Sequence, residues 1–159
     1  MRASKTVSAS QVIMTQLVLP THTNALGTVF GGTVMSWIDI AAAVCAQRHS
    51  NKEVVTASLD AMHFIAPIFK GWVVNLKASV NFVSNSSMEI GVRVDAENPR
   101  TNEIIHTASA YLTMVALGPD GKSTQVPDIE LLTEIEKVRN KDALERREVR
   151  LQLKNKKWR

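Results

Sequence analysis

Aromatic residues make up only 5% of this 159-residue sequence, although 45% of it is hydrophobic, so any core must be assembled from aliphatic side chains and alanine. The scarcity also argues against a single-stranded nucleic-acid binder, whose bases need aromatic faces to stack on. A lone cysteine, Cys45, excludes a disulfide framework within the chain. The four histidines, His22, His49, His63 and His106, show none of the spacings that hold zinc, and no metal is expected. No apolar run approaches the roughly 20 residues of a membrane helix, and the opening MRASKTVSASQVIMTQ lacks the apolar stretch of a secretion signal. The expectation is a cytoplasmic protein without a membrane span.

What charge there is sits unevenly. From Glu136 to Arg159 there are ten Lys or Arg against four Asp or Glu, out of totals of 19 and 15, so the rest of the chain is net negative. A basic tail of this kind suits an anionic surface, but its mixed signs read first as a solvated helix, and nucleic acid is not an expected partner.

The length suits one compact domain. VIMTQLVL, Val12 to Leu19, is short, apolar and β-prone, and stops at Pro20. After a loop rich in Thr, Asn and Gly, the stretch from Gly32 to Arg48 has no breaker and is apolar almost all round, which predicts a buried helix with Asp39 at least partly desolvated. Val54 to Phe64, Trp72 to Val83, Met88 to Glu97 and Ile104 to Leu117 read as strands separated by turn-like APIFKG, SNSS and NPRTNE. Short connections favour an antiparallel meander, hence an α+β fold whose sheet curls round the helix. A final charged helix is expected beyond Val126, with Asp128 as its cap. The chain thus divides into a domain over 1–127 and a charged helical extension over 128–159.

Asp39 is the only carboxylate in that oily helix, a pattern that fits a general base or nucleophile. Gly31 and Gly32 open the helix, where free N–H groups and the helix dipole stabilise an oxyanion or phosphate, although GTVFGG matches neither a phosphate loop nor a dinucleotide fingerprint. Asn24 in the preceding loop has an amide able to orient a water or a carbonyl, or simply to bond its own turn. Cys45, six residues past Asp39 and on another face, is read as buried filler. Asp60 and His63, three apart on one predicted strand, fall on opposite faces and make no local dyad.

With these residues in hand, the sequence resembles the hotdog-fold acyl-CoA thioesterases, in particular the cytosolic acyl-CoA hydrolase branch that includes the brain-type enzyme and its bacterial relatives. The resemblance runs from about Gln16 to Asp128 and is carried by HTNALGTVFGGTVMSWIDIAA, SLDAMHFIAPIFKG, SSMEIGVRVDAE and VALGPDGKSTQVPDI in that order. It implies a long central helix wrapped by a curved antiparallel sheet of five to six strands, with a C-terminal helix in addition. It further implies hydrolysis of fatty acyl-CoA to free fatty acid and CoA, with Asp39, Asn24 and Gly32 as the catalytic group. No cofactor is required beyond the coenzyme A carried by substrate and product. Coenzyme A is implied to bind at Gly31, Ser58, Asp60 and His63 and at the turn Ser84, Asn85, Ser86 and Ser87. Relatives often show a glycine and a basic residue where this chain has Ser84 and Asn85, which shifts the phosphate contacts towards Lys70, Arg93 or the basic tail. The resemblance also implies a homo-oligomer: a dimer that brings Asn24 and Asp39 together from different subunits, assembled into a trimer of dimers. The alternative reading is a non-catalytic acyl-CoA or nucleotide sensor on the same fold. A hotdog dehydratase fits less well, because no histidine stands beside Gly31.

Overall fold

The computed structural model describes residues 2–156, so Met1 and the last three residues of the basic tail lie outside the description. A helix, α1 (Gly31–Ser50), lies against a curled sheet of β2 (Val12–Leu17), β5 (Val73–Val83), β6 (Ser87–Asn98), β7 (Glu103–Leu117) and β3 (Glu53–Leu59) in that order, with the short β4 (His63–Phe64) also on β7. Every pairing within this sheet is antiparallel. This is the hotdog arrangement that the resemblance implies. Outside it, β1 (Ser4–Thr6) and β8 (Asp128–Glu130) form a separate parallel pair, and α2 (Glu134–Lys154) ends the described chain.

Alternation decides which face each strand residue meets. Leu76, Ala78 and Val80 of β5, Ile90, Val92 and Val94 of β6, and Ala108, Ala110, Leu112 and Met114 of β7 are all buried within one core cluster. Opposite them α1 contributes Val34, Trp37, Ile38, Ala41, Ala42, Cys45 and Ala46, the spacing of one helical face. The alanines on both sides let the helix axis approach the sheet closely. Each aliphatic side chain so buried contributes roughly 1.5–3 kcal/mol, and such residues do here what large aromatic side chains do elsewhere. Cys45 is packed in this core, and burial pushes its thiol pKa up to about 12, consistent with inert filler.

Three expectations change. The helix is not buried all round: in the protomer Met35 and Ile40 are exposed, and so is Asp39, because only one face of α1 meets the sheet. The strand expected from Val54 to Phe64 is broken after Leu59, so Asp60 and His63 do not share a strand. Asp128 does not cap the last helix, since it is taken into β8. The cap is Thr133, in a reciprocal box with Glu136 whose hydrogen bonds hold the Glu136 carboxyl below its usual pKa. In addition β1 and β8, for which no sequence pattern stood out, join residues 4–6 to residues 128–130.

α2 lies on the sheet face opposite α1. Ala143 is its one buried residue, and Asn140, Arg146, Arg147 and Arg150 on the same side are half-buried and polar. Asn140 donates to the Asn81 carbonyl at 2.8 Å, and Arg146 meets Glu89 at 2.7 Å while stacking 3.7 Å above the Tyr111 ring. Arg150 bridges Glu89 at 3.0 Å and Asp60 at 2.8 Å. The Glu89 side chain is fully buried, so it depends on these two guanidinium groups for compensation. Burial opposes the charge on Arg146, yet its bond and Coulomb attraction to Glu89 keep its pKa above the ordinary arginine value.

At the far end of α1, Asn51 adopts φ +54 and caps the helix through its N–H to Gln47. The buried His49 ring hydrogen-bonds the Pro127 carbonyl through Nε2 at 3.1 Å, and burial lowers its pKa.

Candidate active site

The loop ahead of α1 is a tight hairpin. Asn24 N–H donates to Thr28 O, Gly27 N–H returns to Asn24 O, and Gly27 takes φ +77, where a side chain would be strained. The Asn24 amide holds the turn together: its Oδ1 accepts from the Leu26 N–H at 2.9 Å, and its Nδ2 donates to Thr28 Oγ1 at 3.0 Å. Asn24 thus bonds its own turn, and within one protomer none of its hydrogen bonds reaches Asp39. The hairpin tip carries Leu26 out into solvent, 85% exposed.

Helix α1 then begins without a side-chain cap. The first-turn N–H groups have no intrahelical acceptors, so those of Gly31 and Gly32 are positioned for an outside oxygen. A side chain at either glycine would press on a neighbouring exposed aromatic ring. A Cβ on Gly32 would stand 2.6 Å from the Phe30 ring, and one on Gly31 would stand 3.3 Å from Phe64. Beside them opens a cavity of about 310 Å³ lined by Thr28, Gly31, Val34, Phe64, Ile65 and Ile68, apolar but for the threonine.

Two turns along the helix, Asp39 meets a residue the sequence did not single out: Thr56 Oγ1 donates to Asp39 Oδ1 at 2.6 Å. Thr56 lies on β3, at the register shift between Thr56 and Ser58, and β3 is an edge strand of the sheet. A bulge of this kind re-aims side chains at functional edges. Met35 and Ile40 of α1 and Leu59 on the α1-facing side of β3 are exposed apolar residues, and Val55 is exposed on the other face of β3.

The remaining residues implied for coenzyme A are dispersed in one protomer. Ser58 is half-buried at the bulge, Asp60 is held by Arg150, and His63 is exposed on β4. The Ser84–Ser87 turn lies at the other end of the sheet from Gly31, beside the end of α1: Ala116 N–H donates to Ser86 O and Val126 N–H to Asn85 O. Its carbonyls are thus used to hold the strand that crosses behind it. Among the described residues no group of three His, Cys, Asp or Glu converges as metal ligands do, and no helix is long and apolar enough to cross a membrane.

Residues 26–103 match the thioesterase superfamily. The chain is 41% identical to the uncharacterized acyl-CoA thioester hydrolase YkhA of Bacillus subtilis over 137 residues, covering 86% of this chain and 80% of that one. A crystal structure of an apo-hexameric acyl-CoA thioesterase superposes with a TM-score of 0.94 at 41% identity, covering 98% of this chain and 99% of the other. The acyl-CoA hydrolase of Staphylococcus aureus, solved with butyryl coenzyme A, coenzyme A and its disulfide, gives 0.85 at 37% identity over 92% of both chains. Structures of that enzyme also exist with one Asn, one Asp or one Thr replaced by Ala, at positions spaced along its chain as Asn24, Asp39 and Thr56 are here. On fold, sequence and the spacing of these three polar residues, the chain belongs to the thioesterase superfamily, among its hotdog acyl-CoA hydrolases.

Proposed function

We propose that this protein hydrolyses acyl-CoA to free fatty acid and CoA, with Asp39 as general base or nucleophile. The observation that carries this reading is the 2.6 Å bond from Thr56 to Asp39, which fixes one carboxylate oxygen and leaves the other for a water or a carbonyl carbon. As base, Asp39 takes a proton from water while the water oxygen bonds to the acyl carbon. The C–S bond then breaks, and the thiolate leaves as CoA and takes up the proton. As nucleophile, Asp39 bonds to that carbon itself and expels the thiolate, and water opens the resulting anhydride. A thioester has a good leaving group, so a carboxylate and an oxyanion donor suffice.

Helix geometry supports the sharing of the site between subunits that the resemblance implies. Seven residues at 1.5 Å each put Gly32 and Asp39 of one helix about 10 Å apart, too far for both to serve one carbonyl. The donors of Gly31 and Gly32, with Asn24 in the adjoining hairpin, therefore belong to one half of the site, and the partner's Asp39 and the partner's Thr56 to the other. The exposed β3 edge and the apolar residues around it are the surface through which two protomers join, and we extend the dimer to a hexamer on the likeness to hexameric relatives. The acyl chain enters the apolar cavity beside Gly31. Ser58, Asp60, His63 and the Ser84–Ser87 turn are kept as contacts for coenzyme A from whichever protomer brings them near. The reaction calls for no cofactor, and the likeness to cytosolic acyl-CoA hydrolases supports a cytoplasmic location.

Thiol release from acyl-CoA esters of increasing length, by wild type and Asp39→Asn, tests the reading. A fall of about two orders of magnitude or more in a variant that still folds and assembles is expected. Should the wild type bind CoA and release no thiol from any ester, the protein is a sensor instead.

A further inference from the structure

Opposite β7 the chain slips its register twice in quick succession. Thr56 pairs with Met114 and Ser58 with Thr113, so one residue is extra before Ser58. Asp60 keeps the new register through its N–H to the Tyr111 carbonyl at 2.9 Å, whereas His63 pairs with Ser109, so a second residue is extra between them. Asp60 thus stands between the two slips, with Thr56 four residues before it and Phe64 four after. Both of those residues face α1: Thr56 bonds Asp39, and Phe64 walls the apolar cavity beside Gly31. A slip of one residue sends a strand side chain to the other face, so the aim of both depends on the two slips staying where they are.

Residues 60–62 belong to neither β3 nor β4, and the ladder bonds on either side do not by themselves fix where an extra residue goes. A side-chain contact does. Arg150 of α2 donates to Asp60 Oδ2 at 2.8 Å and, through the same nitrogen, to Glu89 Oε2 at 3.0 Å. Among the described residues it is the one side chain of α2 hydrogen-bonded to this segment. The Arg150 and Asp60 side chains are each 19% exposed and that of Glu89 is fully buried, so water competes little for the three. Glu89 lies on β6, the central strand of the sheet, and is gripped by Arg146 as well. One guanidinium therefore fastens Asp60 to a fixed point two strands away.

Resting on the hydrolase reading, we propose that Arg150 is a positioning residue of the active site. By holding Asp60 it fixes the register of the β3–β4 connection, and with it the aim of Thr56 at Asp39 and of Phe64 at the cavity. This gives Asp60 a task apart from any contact with coenzyme A, and makes the charged terminal helix part of what shapes the site. Because the site is shared between subunits, Thr56 and Phe64 of one protomer serve different carbonyls, and one Arg150 bears on both.

The test measures kcat for a short-chain acyl-CoA and for the matching S-acyl-pantetheine, which keeps the thioester and lacks the nucleotide. The proteins compared are wild type, Arg150→Gln, Asp60→Asn, the double variant of these two, and Arg146→Leu. Arg146→Leu weakens the docking of α2 and spares the bond to Asp60, so it controls for lost stability. With every protein assembled and well below its unfolding midpoint, kcat is expected to fall about tenfold in Arg150→Gln and in Asp60→Asn, and no further in the double variant. The fall should be equal for both esters, Arg150→Lys should recover part of it, and Arg146→Leu should keep the wild-type kcat. A wild-type kcat in Arg150→Gln overturns the proposal, as does an equal fall in Arg146→Leu or losses that multiply in the double variant. A fall confined to the CoA ester also overturns it, by making Asp60 a nucleotide contact. If wild type cleaves neither ester, the hydrolase reading fails on its own, and amide hydrogen exchange over residues 57–65 decides the role of Arg150. Faster exchange in Arg150→Gln than in Arg146→Leu supports it, and equal rates overturn it.

Discussion

If Thr56 orients the Asp39 carboxylate through its 2.6 Å bond, Thr56→Val should lower kcat by about ten- to a hundredfold with little change in KM, and Thr56→Ser should restore much of it. Steady-state kinetics on an assembled protein would decide, and an unchanged kcat in the valine variant would remove Thr56 from the site. Asp39 stood out in the sequence as one carboxylate among apolar neighbours, and the structure gives it an exposed place on α1. Thr56 carried no such signal, since a threonine in a strand is ordinary, and nothing local tells that β3 will bring it back to a helix 17 positions earlier. Only the packing of helix on sheet edge makes the pair. Asn24 shows the converse: its turn-forming role and its implied catalytic role were both legible, and the protomer displays the first.

At the scale of elements, period-two alternation and Gly/Asn punctuation located β5, β6 and β7 to within a residue or two, because both of their faces are constrained along their whole length. The split between β3 and β4 escaped, since residues 60–62 look no less strand-like than their neighbours and the break is set by how β7 receives them. The destination of α2 was hidden for a different reason. A helix that docks through arginines rather than leucines reads as solvated, and the buried acceptor Glu89 sits on the solvent-facing phase of an alternating strand. Replacing Arg146 with Leu leaves Glu89 with Arg150 as its one cation and the Asn81 amide as its other partner. The expected cost is about 2–3 kcal/mol, seen as a fall of roughly 5–10 °C in the midpoint of thermal unfolding. Replacing Glu89 with Leu in the same protein should recover part of that loss, because no buried charge is then left uncompensated. Equal midpoints for wild type and Arg146→Leu would mean that α2 is held by other contacts.

For the whole molecule, the fold class followed from one helix and a run of strands with short links, but the need for a second protomer became concrete only when the outer side of α1 and the β3 edge proved uncovered. Ile40, 48% exposed beside Asp39, is the point at which to test that surface. Ile40→Glu places a charge where the partner's apolar side chains should lie. Light scattering is expected to show smaller species that retain the fold and have lost thiol release, and a monomer of full activity would refute the shared site. The pairing of β1 with β8 has a consequence in time rather than in space. Ser4 lies opposite Asp128, so β1 can find its partner only after every strand of the hotdog sheet has been synthesised. Until then β1 has no edge to pair with, and its docking is a late event in folding that follows closure of the main sheet.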